Sequence, residues 1–470
     1  MPDGVVDAVD LVDAVVVGYG PVGAVAAALA GRAGLRTTVL EATSSVYHLP
    51  RAAHMDAEIM RVLDEIGVGD DVRPTCAPVS GMHFINADGE ALVRFDVPAG
   101  ASFMFYQPDL ERALRAEVDR LPSVDVHLEH EVVGFEQHAD HVEVTVRDLG
   151  TGRSRVLRAR YLLGADGARS LVRKQLGVAC EDLQLDQPWL VVDTLLTRPV
   201  ELPGIVQQIC DPARPTTFIP MCGRRRRWEF MLLPGETAQD MERPARVAEL
   251  LAPWVGPDDV EIVRAVVYTF HAVLAEQWRD RRVFLLGDAA HQMPPFLGQG
   301  MCSGIRDAHN LVWKLALVRR GLAPDALLDT YQEERAPHVR RIIETAVALG
   351  GLLQTTDPEV AAARDAAMLG PDSAPPDQSD IGGLTTGVVV AGGGGRVVDG
   401  AHGFELRVHE QPALPDELAS WWHAVGGRTF VRSDTTSAVL VRPDGYCFGA
   451  AADPVALLAE LRATLTRAPG

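Results

Sequence analysis

The chain opens on two alternating kinds of hydrophobic pattern. Asp13–Val17 (DAVVV) is a short β-branched run, followed by a glycine-rich turn and an alanine-rich helical stretch, Ala24–Arg32. A second β run, Thr37–Leu40, ends on Glu41. Strand, helix and strand in that order predict a βαβ unit and a parallel, doubly wound α/β sheet. Strand-like patterns resume between Val124 and Leu163 as VDVHL, VEVTV and RARYLLGAD. From Trp189 to Tyr268 the texture changes: IVQQIC, TTFIPMC and RRWEFMLL are separated by the turn clusters DPARP and CGRR. Short strands joined by tight turns predict an antiparallel, β-rich second layer. Arg282–Leu286 reads as a further strand, leading to a long helix over Ile305–Arg320. Gly370–Gly403, with GGGG at 392–395, has the composition of a linker. Beyond it, Thr429–Ala450 reads strand–turn–strand and Pro454–Leu465 a closing helix, which together predict a small separate unit.

Composition narrows the class without naming it. Of 470 residues, 47% are hydrophobic and 23% charged, as in ordinary globular proteins. The net charge of −20 argues against a nucleic-acid partner, whose phosphates must be met by Lys and Arg. No run approaches the roughly 20 apolar residues that span a bilayer. Met1–Asp13 carries four aspartates and no cation, unlike a secretory signal. Six scattered cysteines without a C-x-x-C pair predict reduced thiols, with no disulfide framework and no metal site. The expectation is a cytoplasmic protein that avoids membranes.

Candidate chemistry begins at Gly18-Tyr19-Gly20-Pro21-Val22-Gly23, a G-x-G-x-x-G placed between strand and helix. The first glycine permits the tight turn, the second lets a pyrophosphate approach, and the third lets helix pack on strand. Glu41, followed by Ala42, closes the next strand, where a carboxylate accepts hydrogen bonds from ribose hydroxyls. The same carboxylate repels a 2′-phosphate, so FAD or NAD suits this turn and NADPH does not. Spacing alone leaves FAD and NAD both open. Two later segments share a form: an apolar strand ending in small residues and an aspartate. They are Tyr161–Ser170 (YLLGADGARS, with Asp166 and Gly167) and Arg282–His291 (RVFLLGDAAH, with Gly287 and Asp288), the second continuing through PPFLGQGM.

With these three motifs in view, the chain resembles the class A flavoprotein monooxygenases, the single-component aromatic hydroxylases. GYGPVG resembles their FAD fingerprint, GADGARS their Asp-Gly motif, and GDAAHQMPP…GQG their second FAD motif. Pro50-Arg51-Ala52, Gln107-Pro108, Trp313–Ala316, CDPARP from Cys210 and WEFM from Trp228 are further points of likeness, the last two to the 3-(3-hydroxyphenyl)propionate hydroxylase group. The resemblance spans about residues 10–350 and implies a Rossmann-like FAD domain, an inserted antiparallel substrate domain and a thioredoxin-like tail. The corresponding divisions are 10–185 (with segments of the substrate layer), 186–275, 276–369, the linker at 370–403, and 404–470. Lacking C-x-x-C, the tail would be structural.

The resemblance also implies chemistry. FAD, reduced by NADH or NADPH, would form a C4a-hydroperoxide with O2 that hydroxylates a small phenolic substrate. Arg51, Gln107 and Asp166 would lie along the cofactor, Asp288 on its ribityl chain, and Pro295 beside both flavin ring and substrate. Gly298, Gly300 and Met301 would direct backbone N–H groups toward the ring. Relatives commonly carry asparagine where this chain has Cys302, which puts local flavin contacts in question. His54 could assist proton removal or simply be a structural histidine, and His291 reads as structural. Gln208, Cys210, Thr217, Ile219, Met221, Trp228 and Phe230 are candidate substrate-pocket residues, with core packing an equal reading. The Arg224–Arg227 run could attract a carboxylate or mark a solvated hairpin. A tailoring hydroxylase or Baeyer–Villiger enzyme acting on a polycyclic compound stays open, as does a flavin-binding protein without oxygenase activity. The absence of a second G-x-G-x-x-G counts against a disulfide reductase. The tail suggests a homodimer by analogy.

Overall fold

The computed structural model describes residues 11–370, 403–433 and 436–466. Most of the expected linker therefore lies outside the described residues.

An eight-stranded sheet, parallel at its centre and antiparallel where Arg279–Asp280, Val142–Asp148 and His130–Gln137 join it, forms the base. Leu11–Val17 pairs in parallel with Ser154–Gly164 on one side and Thr37–Glu41 on the other. Val283–Leu285 and Val124–Leu128 extend it outward, also in parallel. Ala14–Val17 are buried because helices cover this sheet, which is why the strand is continuously apolar instead of alternating. The helix Pro21–Arg32 is alanine-rich for a steric reason: Gly23 through Gly31 are all buried in it. At Gly31 even a methyl group would come within 2.6 Å of Val124. The long helix spans Gly300–Arg319, starting five residues before the sequence pattern suggests. Its glycine-containing first turn carries no helical signature but continues directly from the G-Q-G segment.

The second sheet has eight strands and is antiparallel apart from one pairing. Its long members are Cys180–Leu196 and Val260–Ala275, flanked by Arg225–Met231, Thr216–Ile219 and Val206–Ile209. Two further strands, Gly81–Ile85 and Ala91–Asp96, come from far earlier in the chain. Leu190, Val192, Phe218, Trp228 and Phe230 form one buried cluster on the outer face with Val247 and Leu251, which belong to the helix Pro244–Leu251. The other face looks toward the parallel-sheet domain.

The carboxy-terminal unit is a four-stranded sheet in the order 428–431, 405–408, 438–441, 447–451. Its first pairing is parallel and the other two antiparallel. A βαβ half is thus joined to a hairpin and the closing helix Pro454–Thr466. This unit shares its core with the body. Leu317 and Leu327 are buried in the same cluster as Leu406, Leu440 and Leu458, and the Trp313 ring meets Phe404 edge-on at 5.5 Å.

Candidate active site

The first glycine turn is shaped by close approaches. Gly18 has φ +96, and a Cβ there would lie 2.4 Å from the Ala165 carbonyl oxygen; at Gly23 it would lie 2.0 Å from the Gly18 oxygen. At Gly20 a Cβ would meet nothing, so that side of the turn is open. Pro21 begins the helix with Gly20 as a cap that offers no side chain, and the first-turn N–H groups are left for an anion. Glu41 accepts from the Tyr19 N–H at 2.8 Å and the Thr43 N–H at 2.8 Å, tying the turn to the end of its strand. A carboxylate has about four lone-pair sites, so ribose hydroxyls can still be accommodated. Ala42 is exposed beside it. Val22 packs so tightly against the third motif that a Cβ on Gly304 would lie 2.5 Å from it. An open anion-binding turn with its carboxylate neighbour fits a dinucleotide cofactor.

The other two motifs brace one another. Asp166 accepts from Ser170 Oγ at 2.5 Å and the Val172 N–H at 3.1 Å, so it organises its own loop; Gly167 holds the left-handed turn at φ +77. Arg173 joins the loops by donating to the Ala168 and Ala289 carbonyls, each at 2.7 Å. Gly287 takes φ +58, and Asp288 after it is exposed to solvent yet lies deep among protein atoms. That depth raises the Asp288 pKa, with His291 and Arg51 opposing. His291 is fully buried and pairs with Asp307 at 2.7 Å, and Asp307 also holds Arg335 at 2.9 Å. It serves the fold.

The G-Q-G segment is clamped by His54. Its Nδ1 lies 3.2 Å from the Gly298 oxygen and its Nε2 2.8 Å from Ser102 Oγ. A carbonyl only accepts, so Nδ1 carries the proton and Nε2 accepts from the serine. Burial lowers the His54 pKa and favours this neutral form. Both nitrogens are engaged, which leaves His54 holding the loop instead of reaching for a substrate proton. Pro295 starts the 3-10 turn Pro295–Leu297, closed by the Gly298 N–H on the Pro295 oxygen at 2.8 Å. Gly300 and Met301 begin the helix, with Gln299 as a cap whose side chain does not bond the first-turn N–H groups. Cys302 sits inside that first turn, not at the cap, and its thiol lies against the His54 and Gly298 carbonyls at 3.8 and 3.9 Å. Burial pushes the thiol pKa up, so it stays neutral.

Gln107 is spent on the loop opposite. Its Oε1 accepts from the Arg51 and Ala52 N–H groups at 2.8 and 2.7 Å, leaving the Arg51 side chain exposed. From the sheet side, Arg227 donates to the Pro50 oxygen at 2.7 Å and the Arg51 oxygen at 2.9 Å. Arg264 donates to the same Pro50 oxygen at 2.7 Å. Asp193 neutralises both guanidiniums, at 2.7 Å from Arg227 and in direct contact with Arg264. Of the arginine run, then, Arg227 is a buried clamp, while Arg225 lies over the Tyr106 ring at 3.8 Å. Arg227 is therefore not free to hold a ligand carboxylate.

The inner face of the second sheet carries several of the candidate substrate residues. Gln208 pairs across strands with Thr217, and Thr217 with Glu229. Thr217 Oγ1 donates to Gln208 Oε1 at 2.6 Å, and Gln208 Nε2 reaches the Phe296 oxygen at 3.5 Å. Ile219 packs with Val206 and Met104, and Cys210 is buried two residues from Gln208 with its carbonyl taken by Arg364 at 2.8 Å. Met221 is buried in the turn that follows. Trp189, Phe270 and Phe296 cluster beside this row, with Trp189 and Phe296 ring centres 5.7 Å apart. Trp228 and Phe230 are placed otherwise: they fill the outer cluster, on the face away from Gln208 and Thr217. Sequence reasoning passed over Glu229, a carboxylate alternating with two core aromatics, and Asp193 in an apolar strand. On a distant hairpin His138, His141 and Glu143 bring ligand atoms within 4.8 Å, but Arg158 already holds Glu143 at 2.7 Å.

Residues 11–346 match the FAD binding domain family, a span that includes all three glycine motifs. The chain belongs to this family. Its relatives include hydroxylases of aromatic compounds, and its cofactor is FAD. This FAD-binding protein is 37% identical over 500 residues to a probable NADH-specific resorcinol 4-hydroxylase of Rhodococcus jostii (strain RHA1), covering 95% of this chain and 93% of the relative. It is 38% identical over 374 residues to the 3-(3-hydroxy-phenyl)propionate/3-hydroxycinnamic acid hydroxylase of Comamonas testosteroni. That match covers 78% of this chain but 63% of the relative, just under two thirds of its length. Among solved structures, the OxyS anhydrotetracycline hydroxylase of Streptomyces rimosus aligns with TM-score 0.79 at 25% identity, over 98% of this chain and 100% of that one. The fold class and flavin expected from the sequence agree with these relatives. Among the described residues, no helix is long and apolar enough to cross a membrane.

Proposed function

We propose that this flavoprotein hydroxylates a small phenol, using NADH or NADPH and O2, with resorcinol- and hydroxyphenylpropionate-type compounds as first candidates. The observation that carries the reading is the inner face of the second sheet. There a polar row, Gln208–Thr217–Glu229, lies beside the aromatic wall of Trp189, Phe270 and Phe296. A flat ring carrying a hydroxyl matches such a lining.

When bound, FAD supplies hydride acceptance from the nicotinamide and activation of O2 for transfer of one oxygen atom to the ring. The open side of the Gly18–Gly23 turn would take the pyrophosphate, Glu41 a ribose, and Asp288 the ribityl chain. The backbone of Gly298–Met301, set by the His54 clamp, would face the flavin ring, with Pro295 between ring and substrate. Gln208 would fix a substrate hydroxyl. The aromatic wall excludes water from the reacting carbon, which protects the activated oxygen from wasteful release. The enzyme would be cytoplasmic, and a homodimer is the assembly to look for by light scattering.

The purified holoenzyme should be yellow and should oxidise NADH or NADPH faster with one such phenol, yielding a product one oxygen atom heavier. A colourless protein that does not take up FAD would overturn the reading. The neighbour named for anhydrotetracycline supports a second reading, a polycyclic substrate. A yellow enzyme indifferent to every small phenol but stimulated by a polycyclic one would favour it.

A further inference from the structure

We propose that Glu229 is the proton acceptor for the substrate's phenolic hydroxyl. The inference rests on the small-phenol reading above and assigns a role within the same site.

Other polar groups near the inner face are already committed or do not exchange protons. His54 has both ring nitrogens committed, to Gly298 and Ser102. Asp193 is bound to two arginines. Gln208 and Thr217 are bonded to each other and do not exchange protons at neutral pH. Glu229 differs from all of these. It is 4% exposed, yet among the described residues no hydrogen-bond donor reaches its carboxyl, and the nearest cation, Arg227 Nη1, stands 3.9 Å away. A buried carboxyl without a donor is costly unless something else uses it. Its cross-strand neighbour Thr217 continues the row to Gln208, which reaches the Phe296 carbonyl beside Pro295. A phenol lying along that row would present its hydroxyl to the carboxyl.

In the step proposed, the phenol O–H bond breaks and its proton passes to a Glu229 oxygen. The electron pair stays on the phenol oxygen, which raises electron density at the ring carbons ortho and para to it. The carboxyl then releases the proton to water before the next turnover. The charged groups facing Glu229 are Arg227 on its own strand, Asp193 on Cys180–Leu196 and Arg264 on Val260–Ala275. Burial raises its pKa above the usual glutamate range and Asp193 adds to this, while the two arginines oppose it. The base is active as carboxylate, so activity should fall as pH drops through that raised value.

The test uses FAD-loaded enzyme and resorcinol or 3-(3-hydroxyphenyl)propionate, whichever stimulates product-forming NADH oxidation. In wild type, kcat/KM should show an acid limb with its midpoint above the usual glutamate range. E229Q should retain the flavin spectrum, lose that limb, and fall about 10²–10⁴-fold, the usual worth of a general base. A second readout needs no turnover and no variant. 4-Nitrophenol bound to oxidised wild type should show phenolate colour at pH values where the free probe is colourless. A variant that keeps the limb, or wild type that binds the probe colourless, overturns the assignment of Glu229 alone. Wild type unmoved by any small phenol overturns the functional reading, and this inference with it.

Discussion

The Tyr446 hydroxyl, on the carboxy-terminal unit, donates to Glu58 Oε1 at 2.5 Å across 388 residues of chain, in a fully buried setting. From Glu58 the contacts run to Arg306 at 2.6 Å, and from Arg306 to Gln299 at 3.0 Å and Asp56 at 2.6 Å. Gln299 is the middle residue of the G-Q-G segment. The terminal unit is thus coupled by hydrogen bonds to the loop that would face the flavin. Y446F removes one buried bond to a charged group, about 1.5–3 kcal/mol. It should lower the thermal midpoint and weaken FAD binding in titration; equal FAD affinity in the two proteins would refute the coupling.

Two of the three glycines of the first turn, Gly20 and Gly23, should respond in opposite ways. Gly20 has φ −74, which any residue adopts, and a Cβ there meets nothing. G20A should therefore fold with unchanged thermal stability while losing at least about tenfold in FAD affinity, or about 1.4 kcal/mol. G23A forces a methyl group to 2.0 Å from the Gly18 oxygen and should destabilise the apoprotein itself, by about 1–3 kcal/mol. Denaturant melts without FAD separate the two effects.

Asp193 is the counterion for two buried guanidiniums. D193A leaves Arg227 and Arg264 facing each other without it, and breaking such a buried pair costs about 3–5 kcal/mol. Because both arginines also hold the Pro50 and Arg51 carbonyls, proteolysis should open first near residue 50. A variant as stable and as resistant as wild type would remove Asp193 from this role.

Acid stability should depend on Glu334. Burial pushes its pKa up, but Lys314 and Arg442 more than reverse this and hold it at about 2. A lowered folded-state pKa gives stability that is fully present above the usual glutamate value, about 4.5, and is lost as pH falls toward about 2. Urea midpoints of wild type and E334Q should therefore differ at neutral pH and converge through that window. Parallel curves would show that Glu334 does not titrate as described.

Much of the fold was legible because its signals are local. Gly18 and Gly23 announce a turn that only glycine can make, and the apolar runs at Asp13–Val17 and Thr37–Leu40 are strands where expected. The pocket was harder to read for two physical reasons. Alternation along Trp228-Glu229-Phe230 shows that the strand has two faces but not which face meets the cofactor domain, since both are buried. The aromatics drew attention, yet the charged residue between them was the better signal: a carboxylate in a strand buried on both faces has no solvent to turn to. The second reason is distance. His54 takes its role from Ser102 and from Gly298, 244 residues away, and no local pattern announces such partners.

The core shared by Leu317, Leu327 and Trp313 with Leu406, Leu440 and Phe404 bears on how the polypeptide can be divided. Neither piece owns a complete interior. A chain made as two fragments, 11–370 and 403–466, would leave each with a raw apolar surface shaped to the other. Mixed together, they should behave as a complementing pair that assembles without a covalent bond, each acting as the other's chaperone.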